Sequence, residues 1–502
     1  MNGYVNAVAG IRIPLRTMAV TAIALLLALM GVHVSMPLEG DQALYFFGAR
    51  QMSNGMVLYR DYWDIKGAGV YGFYWLAGTL FGYSAIGLHV LELIWFSLTA
   101  LLAYRLCAIS TENTRLACVG PLATVGAFFV AATPWHLTQP DGLVSLPLTF
   151  AAWAIAEPAL QRGKSQLLSW ILAGVGAGLA TLFVTASILV AFAFVVAAVV
   201  FSWRVPATES KSGVVVRVGG FFLGMALVLM IPIAWFAKNG ALREYLWTTW
   251  LYPLAAQTEF TRDVRELVGS VRWFVGSVFV LIPCALIGVL GTLRDLRARY
   301  PRAIVGLLMC VWLAAGFLAL LVQYHYSWQF HFNHFFVPVG VLAIIGMPEI
   351  FRALASREGR LVALATLIVA LGLPLLLLKK IIVGSSHPTA ATTYEDSVKQ
   401  GLGMATEDDS VYVLGDPRVM FAAGKGQPVK ENGWVLEVLL SHQWKEFSAA
   451  LRQSSPAYLH VMRGYPELLA RNAPELWEWI TSEYEPVHTD SVQGTWFRRR
   501  DL

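Results

Sequence analysis

The feature that most constrains this chain is a series of apolar runs, each long enough to cross the roughly 30 Å hydrocarbon core of a bilayer. In lipid, the backbone must satisfy its hydrogen bonds internally, so runs of this kind fold as helices. The pattern predicts an α-helical polytopic membrane protein with about eleven spans. The runs begin near Thr17, Ile86, Leu116, Gly142, Leu167, Thr185, Gly219, Val271, Ala303, Asn333 and Leu361.

Composition agrees with the apolar runs. Of the 502 residues, 57% are hydrophobic and 14% are charged, whereas soluble domains carry about 25% charged residues. The composition therefore excludes a water-soluble globular protein. The first run, Thr17 to Met36, has the alternative of a signal peptide, but no small-residue cleavage site follows it, so an uncleaved span is favoured. All four cysteines lie within or beside apolar runs, so no disulfide framework is expected.

Loop charges predict the orientation. The basic residues fall in those short loops that lie on the same side of the membrane as the N-terminus. Short loops rich in Lys and Arg mark the cytoplasmic side. The basic excess therefore reflects topology, and no nucleic-acid partner is expected. A multi-pass protein of the inner or plasma membrane follows, with a cytoplasmic N-terminus and an extracytoplasmic C-terminus. The residues concerned are Arg105, Arg115, Arg162, Lys164, Arg204, Lys211, Arg217, Arg294, Arg297, Arg299, Arg302, Arg352, Arg357 and Arg360.

Two domains are predicted, a transmembrane domain over residues 1–383 and an extracytoplasmic α/β domain over residues 384–502. In the second, the short apolar segment 410–417 is typical of a buried strand stopped by a turn. A helix around 444–451, a second strand at 457–462 and a last helix near 474–481 follow. Strands that alternate with helices indicate a small α/β domain.

The densest group of polar and aromatic residues is the first outside loop, residues 38–83. Such aromatic enrichment favours a pair of short helices along the membrane surface. Asp41 follows the first span closely, where a partly desolvated carboxylate can act as a general base. The alternative is that Glu39 and Asp41 only mark a helix start, with Asp41 as the N-cap residue.

The order of these motifs resembles GT-C-type glycosyltransferases, in particular the protein-mannosyltransferase-like and lipid A aminoarabinose-transferase-like group. The likeness rests on Glu39-Gly40-Asp41-Gln42-x-x-Tyr45 and on Leu58-Tyr59-Arg60-Asp61-x-x-Asp64-x-Lys66. The segments Thr138 to Leu143, Gly174 to Thr181 and Phe330 to Pro338 agree with it. Four positions depart from the family pattern: Gln42 replaces an acid, Gly67 and Ala68 replace Pro-Pro, and Val184 stands where a lysine is common.

The resemblance implies a polyprenyl-phosphate sugar donor and an extracytoplasmic acceptor, which is a glycan, a glycolipid or a protein. It implies an inverting transfer with Asp41 as the base, and a second catalytic acid at Asp141. Cations on the expected side are candidates for the donor phosphate, and further loop residues are candidates for substrate contact. No cofactor is certain, and a divalent metal remains an alternative. The phosphate candidates are Arg60, Lys66, His331 and His334; the loop candidates are Glu39, Tyr45, Asp61 and Asp64.

Several of these residues have structural alternatives. Asp141 follows a proline at a helix start and has capping as its alternative role. His331 and His334 stand three apart, which allows a shared metal as well as a phosphate contact. Asp61 and Asp64 have loop-bracing ion pairs as their alternative. Glu92 lies inside a span and is expected to face the protein interior, because a carboxylate is costly in lipid.

The rival class of function is a polytopic transporter or lipid-carrier flippase without transferase activity, or a non-catalytic assembly subunit. Transporters place ionisable groups near the bilayer midplane in repeated halves. Here almost every span is apolar at its middle, and no repeat is evident. The charged residues concentrate in one outside loop instead, which favours chemistry on a lipid head group.

Overall fold

The computed structural model describes residues 14–160, 166–204, 211–261, 263–323, 328–354 and 403–502, apart from 404, 407 and 491–493. Two compact units divide the chain. Unit 1 comprises Met1–Met36, His89–Ile231 and Arg262–Ile382. Unit 2 comprises Pro37–Leu88, Pro232–Thr261 and Val383–Leu502. The domain boundary expected at residue 383 lies outside the described residues, as does the run that begins near Leu361.

Within the described residues, seven helices are long and apolar enough to cross a membrane. A multi-pass membrane protein, as predicted, is confirmed. Two further predicted spans are shorter helices, Leu15–Gly31 and Ser145–Leu160. The seven are Ala85–Thr111, Thr114–Ala131, Gln166–Phe183, Ser187–Arg204, Gly213–Lys238, Ala303–Val322 and Gln329–Ile350.

The run expected from Val271 is not one straight helix. Val264–Val278 and Ile282–Arg297 meet at an angle of 87°. Pro283 lies in the first turn of the second helix. Because proline lacks an N–H and disfavours helical geometry in the residue before it, a helix ends ahead of it. Hydropathy along the run does not register this break.

Glycines allow close backbone packing between the helices Gln166–Phe183 and Lys211–Lys238. A Cβ atom on Gly174 would lie 1.9 Å from the carbonyl oxygen of Phe221, and one on Gly224 would lie 2.0 Å from that of Ile171. Small residues are favoured at membrane helix interfaces because they let two backbones approach. The tight hairpin predicted near 181–185 is confirmed, since one helix ends at Phe183 and the next begins at Ser187.

Unit 2 contains a four-stranded sheet of β1 (Val411–Leu414), β2 (Tyr458–Met462), β3 (Tyr484–Asp490) and β4 (Gly494–Arg499). The strands lie in the order β1-β2-β4-β3. β1 and β2 are parallel, and the pairs β2–β4 and β3–β4 are antiparallel. The two predicted strands and two predicted helices are confirmed. The C-terminal hairpin of β3 and β4 was not predicted, because its outer strand, β3, is polar and lacks an apolar run. The helices here are Pro417–Ala423, Ser441–Ser454, Tyr465–Asn472 and Pro474–Glu483.

The first loop, as predicted, forms two short helices, Gly40–Ser53 and Ala68–Phe81. Aromatic side chains pack between them: the Tyr45 ring meets those of Tyr71 and Tyr74 edge-on, at centroid distances of 5.9 and 5.3 Å. The second loop helix also exposes Trp75 and Leu80. An apolar exposed face of this kind suits the membrane surface expected for the loop. Unit 2 also holds the short helices Leu242–Leu246 and Tyr252–Glu259.

Candidate functional site

Asp41 lies in the first turn of the helix Gly40–Ser53 and is partly exposed. Glu39 and Asp41 do mark a helix start, as the structural alternative had it, but the N-cap residue is Glu39, so the prediction of Asp41 as the cap is wrong. The buried Gln42 side chain accepts a hydrogen bond from the Glu39 N–H at 2.9 Å. Gln42, which stands where the family pattern has an acid, therefore stabilises the start of the helix. A helix N-terminus favours a carboxylate, so Asp41 is held where its charge is stabilised.

The Asp41 carboxylate has a partner from the C-terminal part of unit 2. The indole N–H of Trp434 donates to Asp41 Oδ1 at 2.7 Å. Beside it, the Arg418 guanidinium lies 3.6 Å from Glu39 and 2.6 Å from Asp416. Sequence reasoning missed both residues, because no local motif links positions so far apart in the chain.

Asp64 is almost fully buried, with 1% of its surface exposed. Its oxygens accept hydrogen bonds from the Tyr71 hydroxyl and from the Ile65 N–H, both at 2.7 Å. Burial raises the pKa of Asp64 to about 6; the charge of Lys66 and the Tyr71 bond oppose the rise, and the charge of Asp41 adds to it. A buried carboxyl with a perturbed pKa is typical of functional sites as well as of structural networks. Because Asp64 is enclosed, we expect it to support the loop and not to contact the substrate.

The segment between the two loop helices is held in one conformation. The Tyr59 hydroxyl donates to the carbonyl of Lys66 at 2.7 Å, and Tyr59 itself has a φ of +69°. The strain of a left-handed tyrosine is offset by contacts of this kind. The Lys66 side chain is half-buried, and its charge acts on Asp64. The structure thus places one candidate cation beside one candidate acid.

Arg60 and Asp61 form an exposed pair with N–O distances of 2.8 Å. Arg60 also donates to the carbonyl of Asn239, and Asp61 accepts from the N–H of Val57, each at 2.8 Å. These bonds brace the loop, which was the structural alternative for Asp61. Tyr45 is fully buried within the aromatic packing, so its position is that of a core residue.

In unit 1, Asp141 lines a small cavity together with Ser187, Gly316, His331 and His334. The structure therefore brings together three of the predicted site residues. Gln139, not Asp141, is the N-cap residue of the four-residue helix Pro140–Leu143. The capping alternative for Asp141 is accordingly wrong, and the residue lines the cavity.

His334 is fixed within this cavity. Its Nδ1 accepts a hydrogen bond from the indole N–H of Trp312 at 3.0 Å. A neutral ring then carries its proton on Nε2, which can donate to an anionic oxygen. Gly316 makes room for the ring, because a Cβ atom there would lie 2.7 Å from His334 Cε1. Among the described residues, no group of three or more His, Cys, Asp or Glu is arranged to hold a metal ion.

Glu92 faces the interior of unit 1, as predicted, and the structure identifies its partners. One carboxylate oxygen accepts from the Thr138 N–H at 2.7 Å, and the other lies 3.0 Å from His89 Nδ1. The turn that follows Thr138 carries Asp141. Sequence reasoning missed His89, although its spacing of three residues from Glu92 on one helix is a usable signal.

Solved structures with a similar fold cover almost the whole chain. ArnT from Cupriavidus metallidurans in the apo state has a TM-score of 0.63 and 13% identity, over 95% of this chain and 97% of that one. The same protein bound to undecaprenyl phosphate gives a TM-score of 0.58 and 14% identity, over 96% of this chain and 97% of that one. A third similar structure is the archaeal oligosaccharyltransferase AglB from Archaeoglobus fulgidus, in complex with an inhibitory peptide and a dolichol-phosphate. It has a TM-score of 0.54 and 14% identity, over 97% of this chain and 74% of that one.

The chain has the GT-C fold. The fold that the sequence resemblance implies is therefore confirmed across nearly the full length. No protein-family model matches the sequence, and no curated relative matches it either. At 13 to 14% identity the likeness is one of fold, so the chemistry has to be argued from this chain's own residues.

Proposed function

We propose that this GT-C protein is a membrane glycosyltransferase that moves a sugar from a polyprenyl-phosphate-linked donor to an extracytoplasmic acceptor. The observation that carries the proposal is the match over 96% of the chain with a structure that binds undecaprenyl phosphate. A donor of that class needs a lipid-exposed protein with polar groups near the membrane surface. The apolar helices and the charged residues of the first loop support this part of the proposal.

The proposed reaction is a single displacement. The acceptor hydroxyl oxygen attacks the anomeric carbon as Asp41 removes the hydroxyl proton, and a new glycosidic bond forms. The bond between the anomeric carbon and the phosphate oxygen breaks, and polyprenyl phosphate leaves with the electron pair. The anomeric configuration is inverted. Because the leaving phosphate is already a good leaving group, no strong general acid is needed.

Asp41 suits the role of base better than Asp64 does. Asp41 is partly exposed, while Asp64 is buried and bonded to the Tyr71 hydroxyl. A base must come within hydrogen-bond distance of the hydroxyl it deprotonates, so exposure decides between the two. In this proposal Asp64 and Tyr71 support the loop, and Lys66 supplies positive charge that acts on Asp64.

The His331 and His334 side of the small cavity in unit 1 offers hydrogen-bond donors to an anionic oxygen. The fixed His334 ring can donate from Nε2, and Ser187 and His331 add polar atoms to the same wall. Donors held in place by other bonds stabilise a phosphate more than mobile ones do, because no reorganisation is needed. We assign His331 and His334 to donor phosphate binding and Asp141 to the acidic part of this cavity. Arg60, already paired with Asp61, contributes less.

Reconstitution in lipid vesicles tests the proposal. The purified full chain is mixed with a radiolabelled polyprenyl-phosphate sugar and a crude extracytoplasmic glycolipid and glycan fraction. The expected result is release of polyprenyl phosphate with transfer of label, and a product of inverted anomeric configuration. Movement of the donor or of a solute across the vesicle membrane without bond breakage would instead support the flippase or transporter class. The glycolipid that accumulates in cells without the protein identifies the donor sugar.

A further inference from the structure

The position of Trp434 is set by the C-terminal sheet of unit 2. Trp434 belongs to the 3-10 helix Gly433–Val438, and its backbone N–H donates to the Asn432 side chain at 3.0 Å. The helix lies directly against β1, since a Cβ atom on Gly433 would lie 1.9 Å from the carbonyl oxygen of Val413. The Trp434 backbone is therefore anchored on the C-terminal sheet.

The Trp434 side chain lies on the start of the first loop helix. A Cβ atom on Gly40 would lie 2.7 Å from the Trp434 ring, so only glycine permits the contact. Its indole N–H donates to Asp41 Oδ1. An N–H to carboxylate bond of 2.7 Å is in the range of strong, charge-assisted hydrogen bonds. One oxygen of the proposed base is thus held by a residue almost four hundred positions away in the chain.

A second set of contacts fixes the same helix to the C-terminal part. The Arg50 guanidinium donates to the carbonyl of Phe421 at 2.8 Å and lies over its ring at 4.7 Å. The Phe421 ring stacks on that of Phe46 at 5.5 Å. These contacts prevent the helix from turning about its axis, which would separate Asp41 from Trp434.

We infer that Trp434 is a positioning residue for Asp41, and that orienting the base is a role of the C-terminal part of the chain. The inference rests on the proposed function. The indole N–H fixes one carboxylate oxygen and so selects one Asp41 rotamer. Small displacements of a catalytic group reduce the rate steeply, because the reacting atoms must be aligned. Trp434 itself does not touch the reacting atoms in this account.

Two variants separate the hydrogen bond from the packing of the ring. Trp434→Phe keeps an aromatic ring and removes the donor. Trp434→His keeps a donor, since the imidazole Nε2 can occupy the place of the indole Nε1, and removes the larger ring. Trp444→Phe is the matched control, because Trp444 is buried in the same part of the chain and packs against Phe447. All are measured as full chains in vesicles with the donor and acceptor that the wild type uses.

We expect Trp434→Phe to lower kcat by about tenfold to a hundredfold, with the KM values for donor and acceptor within about twofold. Trp434→His should retain more of kcat than Trp434→Phe does. A purely structural role predicts instead less folded protein with kcat per folded molecule unchanged, or a larger loss in the His variant. Either result overturns the inference.

The variant Asp41→Asn keeps this inference distinguishable from the proposed function. If Asp41→Asn abolishes transfer and Trp434→Phe leaves kcat unchanged, only the positioning role fails. If Asp41→Asn transfers as fast as the wild type, the proposed function fails. The double variant should lose no more than Asp41→Asn alone, because two residues that act through one group are not additive.

Discussion

The carboxylate of Glu92 accepts a hydrogen bond from the backbone N–H of Thr138 at 2.7 Å. Thr138 has a φ of +50°, which a β-branched residue rarely adopts. The bond holds the strained turn that leads into Asp141, and both groups are buried. A residue of the second predicted span therefore determines where a candidate site residue lies.

Replacing Glu92 by alanine should destabilise this turn. The buried Thr138 N–H would lose its acceptor, which costs about 1–3 kcal/mol. Glu92→Gln should cost less, because its amide oxygen can still accept. Thermal unfolding in detergent measures the destabilisation by each variant. Glu112→Ala, at an exposed glutamate, is the matched control. A Glu92→Ala midpoint equal to that of Glu112→Ala would contradict the role of this bond.

Asp64 should make stability depend on pH. Its pKa is about 6 in the folded protein, above its ordinary value of 3.8. The folded state therefore binds the proton more tightly, and stability is highest below the ordinary pKa and falls as pH rises towards 6. Integrated over that window the loss is on the order of 2–3 kcal/mol. Unfolding midpoints between pH 4 and 7 should fall less steeply in Asp64→Asn.

Asp61 supplies a control of opposite sign. Hydrogen bonding from Arg60 lowers the pKa of Asp61. Its stabilisation is present above the ordinary pKa and is lost as pH falls through the lowered value. Asp61→Asn should therefore leave the slope between pH 4 and 7 as it is in the wild type. If the unfolding midpoint fell with pH equally steeply in the wild type and in Asp64→Asn, Asp64 would not be the cause of the pH dependence.

Gly316→Ala should impair donor binding. The added Cβ would lie 2.7 Å from the His334 ring and 2.8 Å from that of Phe335, so the histidine must move. We expect the KM for donor to rise by roughly tenfold, as for the loss of one well-placed hydrogen bond to a charged group. Gly291→Ala is the matched control, because its nearest neighbour would be 4.0 Å away. An equal KM in the two variants would argue against a donor site at His334.

Gly224 and Gly219 form a matched pair within the helix Lys211–Lys238. A Cβ on Gly224 would lie 2.0 Å from the carbonyl oxygen of Ile171, whereas one on Gly219 has no neighbour within 4 Å. Gly224→Ala should destabilise by about 1–3 kcal/mol through overpacking, and Gly219→Ala should be neutral or slightly stabilising. Thermal unfolding midpoints that rank the other way would refute this packing.

Local patterns in the sequence predicted much of this fold. Apolar runs located the spans, and aromatic enrichment between 38 and 83 located the two loop helices. The 87° bend after Val278 was missed because hydropathy averages over a proline such as Pro283. The polar outer strand of the C-terminal hairpin was missed because it has no apolar periodicity.

The site was only partly predictable, for a physical reason. Residue type and order identified Asp41, Asp141 and His334 as candidates. Burial separates the partly exposed Asp41 from the enclosed Asp64, and burial follows from how the loop packs in three dimensions, which residue order alone does not report. The Trp434 bond to Asp41 joins residues 393 positions apart, and no periodicity in one sequence reports such a contact. Long-range partners of this kind require the folded structure.

The most direct test of the account is the rate of sugar transfer by Asp41→Asn. The assay uses the full chain in vesicles with a polyprenyl-phosphate sugar donor, and the matched control is Asp263→Asn at a helix N-cap, where asparagine also caps. We predict that Asp41→Asn loses at least about a hundredfold in kcat, in the range of general base catalysis, while it still binds donor and unfolds at the wild-type temperature. Transfer by Asp41→Asn at a rate close to that of Asp263→Asn would contradict the account.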